Sequence, residues 1–162
     1  MKTANTLSEK GIFKERIHKA LYNNSDIREL LLGDTAGMST KEIQDAFKDH
    51  VKSHLFIDDT IKETESFIFY DVVFPELDTN TKVCKVIMYA ISHRDILDTY
   101  TKDGYHGNRA DILAEMIVDT LVVDDVVSNK FGIGRLILDS VELYNATRFY
   151  GTALIMSVPN FR

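Results

Sequence analysis

Apolar positions in the first third of the chain recur at helical spacing. Over 9–22 (EKGIFKERIHKALY), Phe13, Ile17, Ala20 and Leu21 share one face, which predicts an amphipathic helix. Residues 1–8 carry no such stripe and are expected to be loosely ordered. Asn23, Asn24 and Ser25 break the helix, Asp26 is expected to cap a short helix over IRELLL, and Gly33 to end it. Ser39 and Glu42 have capping-box spacing before a third helix that puts Ile43, Ala46, Phe47 and Val51 on one side. The LFI run at 55–57 is apolar, and Asp58-Asp59-Thr60 is turn chemistry.

From Ser66 the pattern changes. SFIFYDVVF and KVCKVIMYAISH are rich in aromatic and β-branched residues, and the polar stretch 75–81 (PELDTNT) joins them, so a long hairpin is expected. After an irregular connection ending in KDGYHG, Asn108 and Asp111 make a capping-box pair. Ile112, Leu113, Met116, Ile117 and Leu121 then continue a helical stripe until Asp124-Asp125. RLILDSVELY and YGTALIMSV, joined by NATRF, form a second strand pair. The order predicts an α+β fold: a mostly antiparallel sheet of about four strands with helices packed on one face. It is read as a single domain, residues 1–162, with a helical part over 1–54 and the sheet plus long helix over 55–162. A sheet this small has open edges that must be covered or used.

Composition narrows the function classes. A chain of 162 residues can bury its own core without staples, and a 44% apolar, 27% charged balance is ordinary for a globular protein. No apolar run is long enough to span a membrane, and MKTANTLSEK lacks the apolar region of a secretory signal. A single cysteine, Cys84, fits a reducing compartment. The net charge of −6, with lysines and arginines scattered singly along the chain, gives no footprint for gripping phosphate.

Candidate chemistry is sparse. Gly132-Ile-Gly134 follows a helix and opens a strand, the reverse of a phosphate loop, so a tight turn into the strand is the plainer reading. His50 and His54 have i, i+4 spacing, with Asp58 and Asp59 downstream. A third nitrogen or sulfur ligand is missing, and two surface histidines account for the pattern better than zinc. Asp71, Glu76 and Lys85 loosely follow a metal-dependent nuclease hairpin, but Glu76 falls in the loop and Val83 stands where the second carboxylate belongs. Ser92, His93 and Asp95 are sequence neighbours that a strand end points in different directions. Cys84 reads as a packed thiol. The aromatics of 66–74 lack the interleaved basic residues of a nucleic-acid platform and are expected to divide between the core and a covered second face. No catalytic, metal or cofactor site is expected.

Three segments taken together carry a resemblance: KVCKVIMYAISHRDIL (82–97), GYHGNRADILAEMI (104–117) and FGIGRLILDSVELYNATRFYGTALIMSVPNF (131–161). Over about residues 55–162 the chain resembles small head–tail joining proteins of tailed bacteriophages and prophages, and its helix and strand-pair order is that of tail terminators. The resemblance implies a structural virion protein, not an enzyme. It implies a homohexameric ring on the head-proximal end of the tail tube, touching the tube protein and a neck or connector protein. DNA would pass through the lumen without specific binding, and there would be no membrane partner. The protein would reside in the virion tail or neck after assembly in the bacterial cytoplasm. The long N-terminal helices leave room for a neighbouring role, such as a neck, stopper, head-completion or tube-like protein. A metal-dependent nuclease around Asp71 and Glu76 is the enzymatic alternative. Within this reading the polar loop of Pro75, Glu76, Asp78 and Asn80 is a plausible contact arm, a solvated loop being as good an account. Asn108 and Arg109 are possible interface residues, with helix capping plus a surface arginine as the plainer account.

Overall fold

A computed structural model describes residues 2–58, 61, 63–77, 81–130 and 135–161. The first helix, α1 (Lys2–Asn23), begins earlier than its apolar stripe, so residues 2–8 are helical rather than loosely ordered. Thr6 is buried, so burial along α1 begins before the apolar stripe that helical periodicity registers. The cap of α2 (Ser25–Leu32) is Asn24, not Asp26: its side chain accepts from the amides of Asp26 and Ile27. Asp26 instead faces Lys102 at 3.2 Å. Gly33 ends α2 at φ 70°, a backbone region that favours glycine. In α3 (Thr40–His50) the Ser39 hydroxyl accepts from the Glu42 amide, and Phe47 is the fully buried side chain of the helix.

The sheet among the described residues has five strands in the order β1-β2-β3-β5-β4, and it is mixed. It contains β1 (Val51–Lys52), β2 (Ser66–Leu77), β3 (Thr81–His93), β4 (Ile137–Asn145) and β5 (Phe149–Phe161). The expectation of about four antiparallel strands holds for β2 to β5. It misses β1, two residues that pair in parallel with Ile68 and Phe69. A two-residue strand has no period to detect. Strand β2 also runs past the expected loop boundary to Leu77, through a bulge between Val73 and Glu76. Strands β3 and β5 pair antiparallel from Thr81↔Phe161 to His93↔Phe149 and weld the two hairpins into one sheet.

At the β3–β5 seam, Gly151 pairs with Ile91, and a Cβ placed there would lie 2.0 Å from the Ala90 carbonyl oxygen. Helix α4 (Arg109–Val118) links the strand pairs and passes through a π turn (Asp119–Val123) into α5 (Asp125–Ser128), which Asp124 caps. The expected stripe of Ile112, Leu113, Met116, Ile117 and Leu121 is buried.

The helices cover one face of the sheet. Ile17, Leu21, Leu30 and Phe47 join Ile68, Tyr70, Val86, Met88, Leu154 and Met156 in the main core. The opposite face holds a smaller cluster of Phe67, Phe69, Ile91 and Phe149, against which Ile57 and Ile61 pack. The aromatics of 66–74 therefore do divide between two faces, as strand alternation requires. No described helix is long and apolar enough to cross a membrane.

Candidate interaction surface

The residues singled out at the start of α4 turn out to hold the fold together. The Asn108 side chain accepts from the Asp111 amide at 3.0 Å, and the Asp111 carboxylate accepts from the Asn108 amide at 3.0 Å, a complete capping box. Gly107 precedes it at φ 99°, where a Cβ would fall 2.6 Å from the Asp111 carboxylate. Arg109 points inward. Its Nε donates to Ser66 Oγ at 2.7 Å, its Nη2 donates to the Leu30 carbonyl, and its guanidinium lies 5.1 Å from the centre of the Tyr100 ring. Ser66 Oγ in turn meets Ser92 Oγ at 2.6 Å in a buried chain. Burial lowers the Arg109 pKa from the ordinary arginine value. One side chain thus ties α4 to β2, α2 and the 94–105 connection.

The candidate catalytic groups are dispersed. Asp71 sits 2.9 Å from Lys14 Nζ and 3.6 Å from Lys10 Nζ, and its carboxylate accepts from the Val72 amide. Burial raises its pKa, but the Lys14 hydrogen bond, the Val72 amide and Lys10 outweigh that and leave it below the usual carboxylate value. Lys85 pairs with Val73, two residues along β2 from Asp71 and on the same face. Ser92 is held in the Ser66–Arg109 chain, whereas His93 Nδ1 accepts from the Asp95 amide and its ring packs edge-on against Phe149. His50 has both ring nitrogens on oxygens, Ala46 O at 2.9 Å and Glu65 Oε2 at 2.8 Å, and stacks on Phe67. His54 leans on Phe69. Cys84 is buried in the main core. Gly132 and Gly134 lie outside the described residues, as do Asp59, Asp78, Asn80 and the Glu76 side chain. Pro75 belongs to β2 and is exposed.

What remains is surface. Strand β4 is an open edge, and its outward row is not polar: Val141 is 62% exposed and Leu143 66%. Both lie on the helix-bearing side, in register with Leu154 and Thr152. Asp139, in the bulge between Leu138 and Ser140, and Glu142 supply the strand's charge, all of it acidic.

At the other end of the strand order, beside β1, is a groove of about 570 Å³ whose floor is Val51 and Tyr70. Its walls carry Lys14, which is paired with Asp71, together with Lys19, Lys48, Lys52 and Glu15. His18 also lines it, and its pKa is lowered by burial and by the Lys48 charge. The Tyr70 hydroxyl donates to the Lys14 carbonyl at 3.0 Å, and burial moves its pKa far above the ordinary phenol value. The lysines that look scattered along the sequence are therefore gathered into one basic groove. That clustering was not legible, because α1, α3 and β1 each contribute only one or two members. The exposed apolar pair on β4 had a faint signal in the acidic-apolar run DSVEL.

A family model named YomW matches residues 14–158, and the chain belongs to this family, which is associated with phage genomes. No curated protein matches the sequence.

Proposed function

We propose that this member of the YomW family is a structural virion protein at the head–tail junction of a tailed phage or phage-like particle. More specifically, we read it as a tail terminator whose copies close into a ring, expected to be a hexamer, on the head-proximal end of the tail tube. In this role it contacts the tube below and a neck protein above, and DNA crosses the lumen without being gripped. The supporting observation is the open β4 edge at one end of the strand order, with Val141 and Leu143 in solvent. A lone subunit gains nothing from exposing such a row, whereas an assembled one buries it. The phage association of the family supports the setting. The nuclease alternative has no comparable support, since Asp71 is held by Lys14 and Lys10.

Disrupting the gene in a phage or prophage that carries it tests the reading. Filled heads without tails, together with tails of uncontrolled length, are expected. Normal infectious particles would overturn it. So would Mg²⁺-dependent DNA cleavage by the purified protein that disappears in Asp71→Asn.

A further inference from the structure

We infer that the β4 edge of one copy docks into the basic groove beside β1 of the next copy, so that the chain associates head to tail through the two ends of its own sheet. The inference rests on the ring reading above for closure, and adds which surfaces meet.

Three observations point the same way. The two surfaces lie at opposite ends of one strand order, as a head-to-tail contact requires, and their apolar parts, Val141 and Leu143 on β4 and Val51 and Tyr70 in the groove, lie on the helix-bearing side of the sheet. Their charges are opposite: Asp139 in the bulge and Glu142, which projects from the other face of the same edge in register with Ala153, against Lys19, Lys48 and Lys52 in the groove. Their apolar parts match as well. Val141 and Leu143 protrude from β4, and Val51 and Tyr70 floor the groove between its lysines.

An edge strand that served only to avoid pairing would carry its charges and its bulge without two adjacent apolar side chains in solvent. A site for a phosphate backbone would need basic groups without an apolar floor matched elsewhere on the same chain. Because the net charge is −6, the groove is a local exception on an acidic molecule, and the rest of the chain is more acidic than the total. A second copy is thus a complementary partner always present at the same concentration. Opposite charges across such a contact fix its register and discourage two β4 edges, both acidic, from meeting each other.

Charge reversal tests this on the full chain. Lys48→Glu/Lys52→Glu in the groove, and Asp139→Lys/Glu142→Lys on the edge, are expected each to weaken self-association by about tenfold or more in sedimentation. Combining all four changes in one chain restores it, because each reversed surface then meets a reversed partner. Circular dichroism confirms that each variant is folded.

Closed rings that ignore the reversals would overturn this contact and leave the ring reading standing. Open chains that respond to reversal and recover in the swapped variant would support the contact and overturn the ring. A wild-type chain that stays monomeric up to millimolar concentration would overturn the contact. So would a two-fold dimer cross-linked β4 to β4. If the groove variant associates normally but loses binding to a short DNA duplex, the groove serves phosphate and the proposal falls.

Discussion

At Gly151 a glycine is required by space. The backbone there has no positive φ, but Ala90 O occupies the position a Cβ would take, and Tyr89 and Tyr144 pack with ring centres 4.8 Å apart on the outer face beside it. Gly151→Ala must push β3 and β5 apart, and is expected to cost about 2–3 kcal/mol or more in chemical denaturation. A loss below ~0.5 kcal/mol would mean that the strands are not so close. His18 offers a pH-dependent test. Its folded pKa lies below 6.5 because burial and Lys48 disfavour the imidazolium, and its ring packs edge-on against Phe47. Between the two pKa values the unfolded chain binds the extra proton. Stability is therefore lost as pH falls from about 6.5 toward the lowered value. Thermal melts from pH 7.5 to 5 should show a smaller acid sensitivity in His18→Gln than in wild type, and equal slopes would remove His18 as the cause.

Among the elements, α4 is the hub, and Arg109 is how it is fastened. The stripe predicted from residue 112 onward does pack on the sheet, but the helix also needs its first turn fixed against β2 and α2. Arg109→Ala leaves Ser66 and the Leu30 carbonyl without their donor and should cost about 2–3 kcal/mol. Arg109→Lys keeps the charge but loses the fork and the flat stacking on Tyr100, so it should recover less than half of that. Equilibrium unfolding of the two variants beside wild type is the check, and a fully wild-type Lys variant would show that charge alone matters. The reading of Asn108 as a cap was available from its spacing to Asp111. The reading of Arg109 was not, because its partners sit 43 and 79 residues away in sequence.

For the whole molecule, the salient property is polarity along the sheet: a basic groove at one end and an acidic, apolar edge at the other. Self-association through these ends has both a screened and an unscreened part. Raising salt from 50 to 500 mM should weaken it without abolishing it, because the Debye length shrinks while burial of Val141 and Leu143 is unaffected. Association measured by light scattering that is wholly indifferent to salt would argue for an apolar contact elsewhere, such as the half-exposed outer face around Ile87 and Ile155.

The amino-acid order by itself determined what local geometry can encode. The stripes over α1 and α4, the caps at Ser39 and Asn108, the stop at Gly33 and the two hairpins follow from 3.6- and 2-residue periods and from turn chemistry. Only tertiary structure decided the rest. The parallel pairing of β1 is too short to have a period, and the β3–β5 seam that orders the sheet joins residues far apart in sequence. The inward turn of Arg109, the capture of Asp71 by two lysines of α1 and the basic groove also depend on which faces meet. Lysines spread singly over three elements carry no linear signal, and their fields add only once folding brings them within a Debye length of one another.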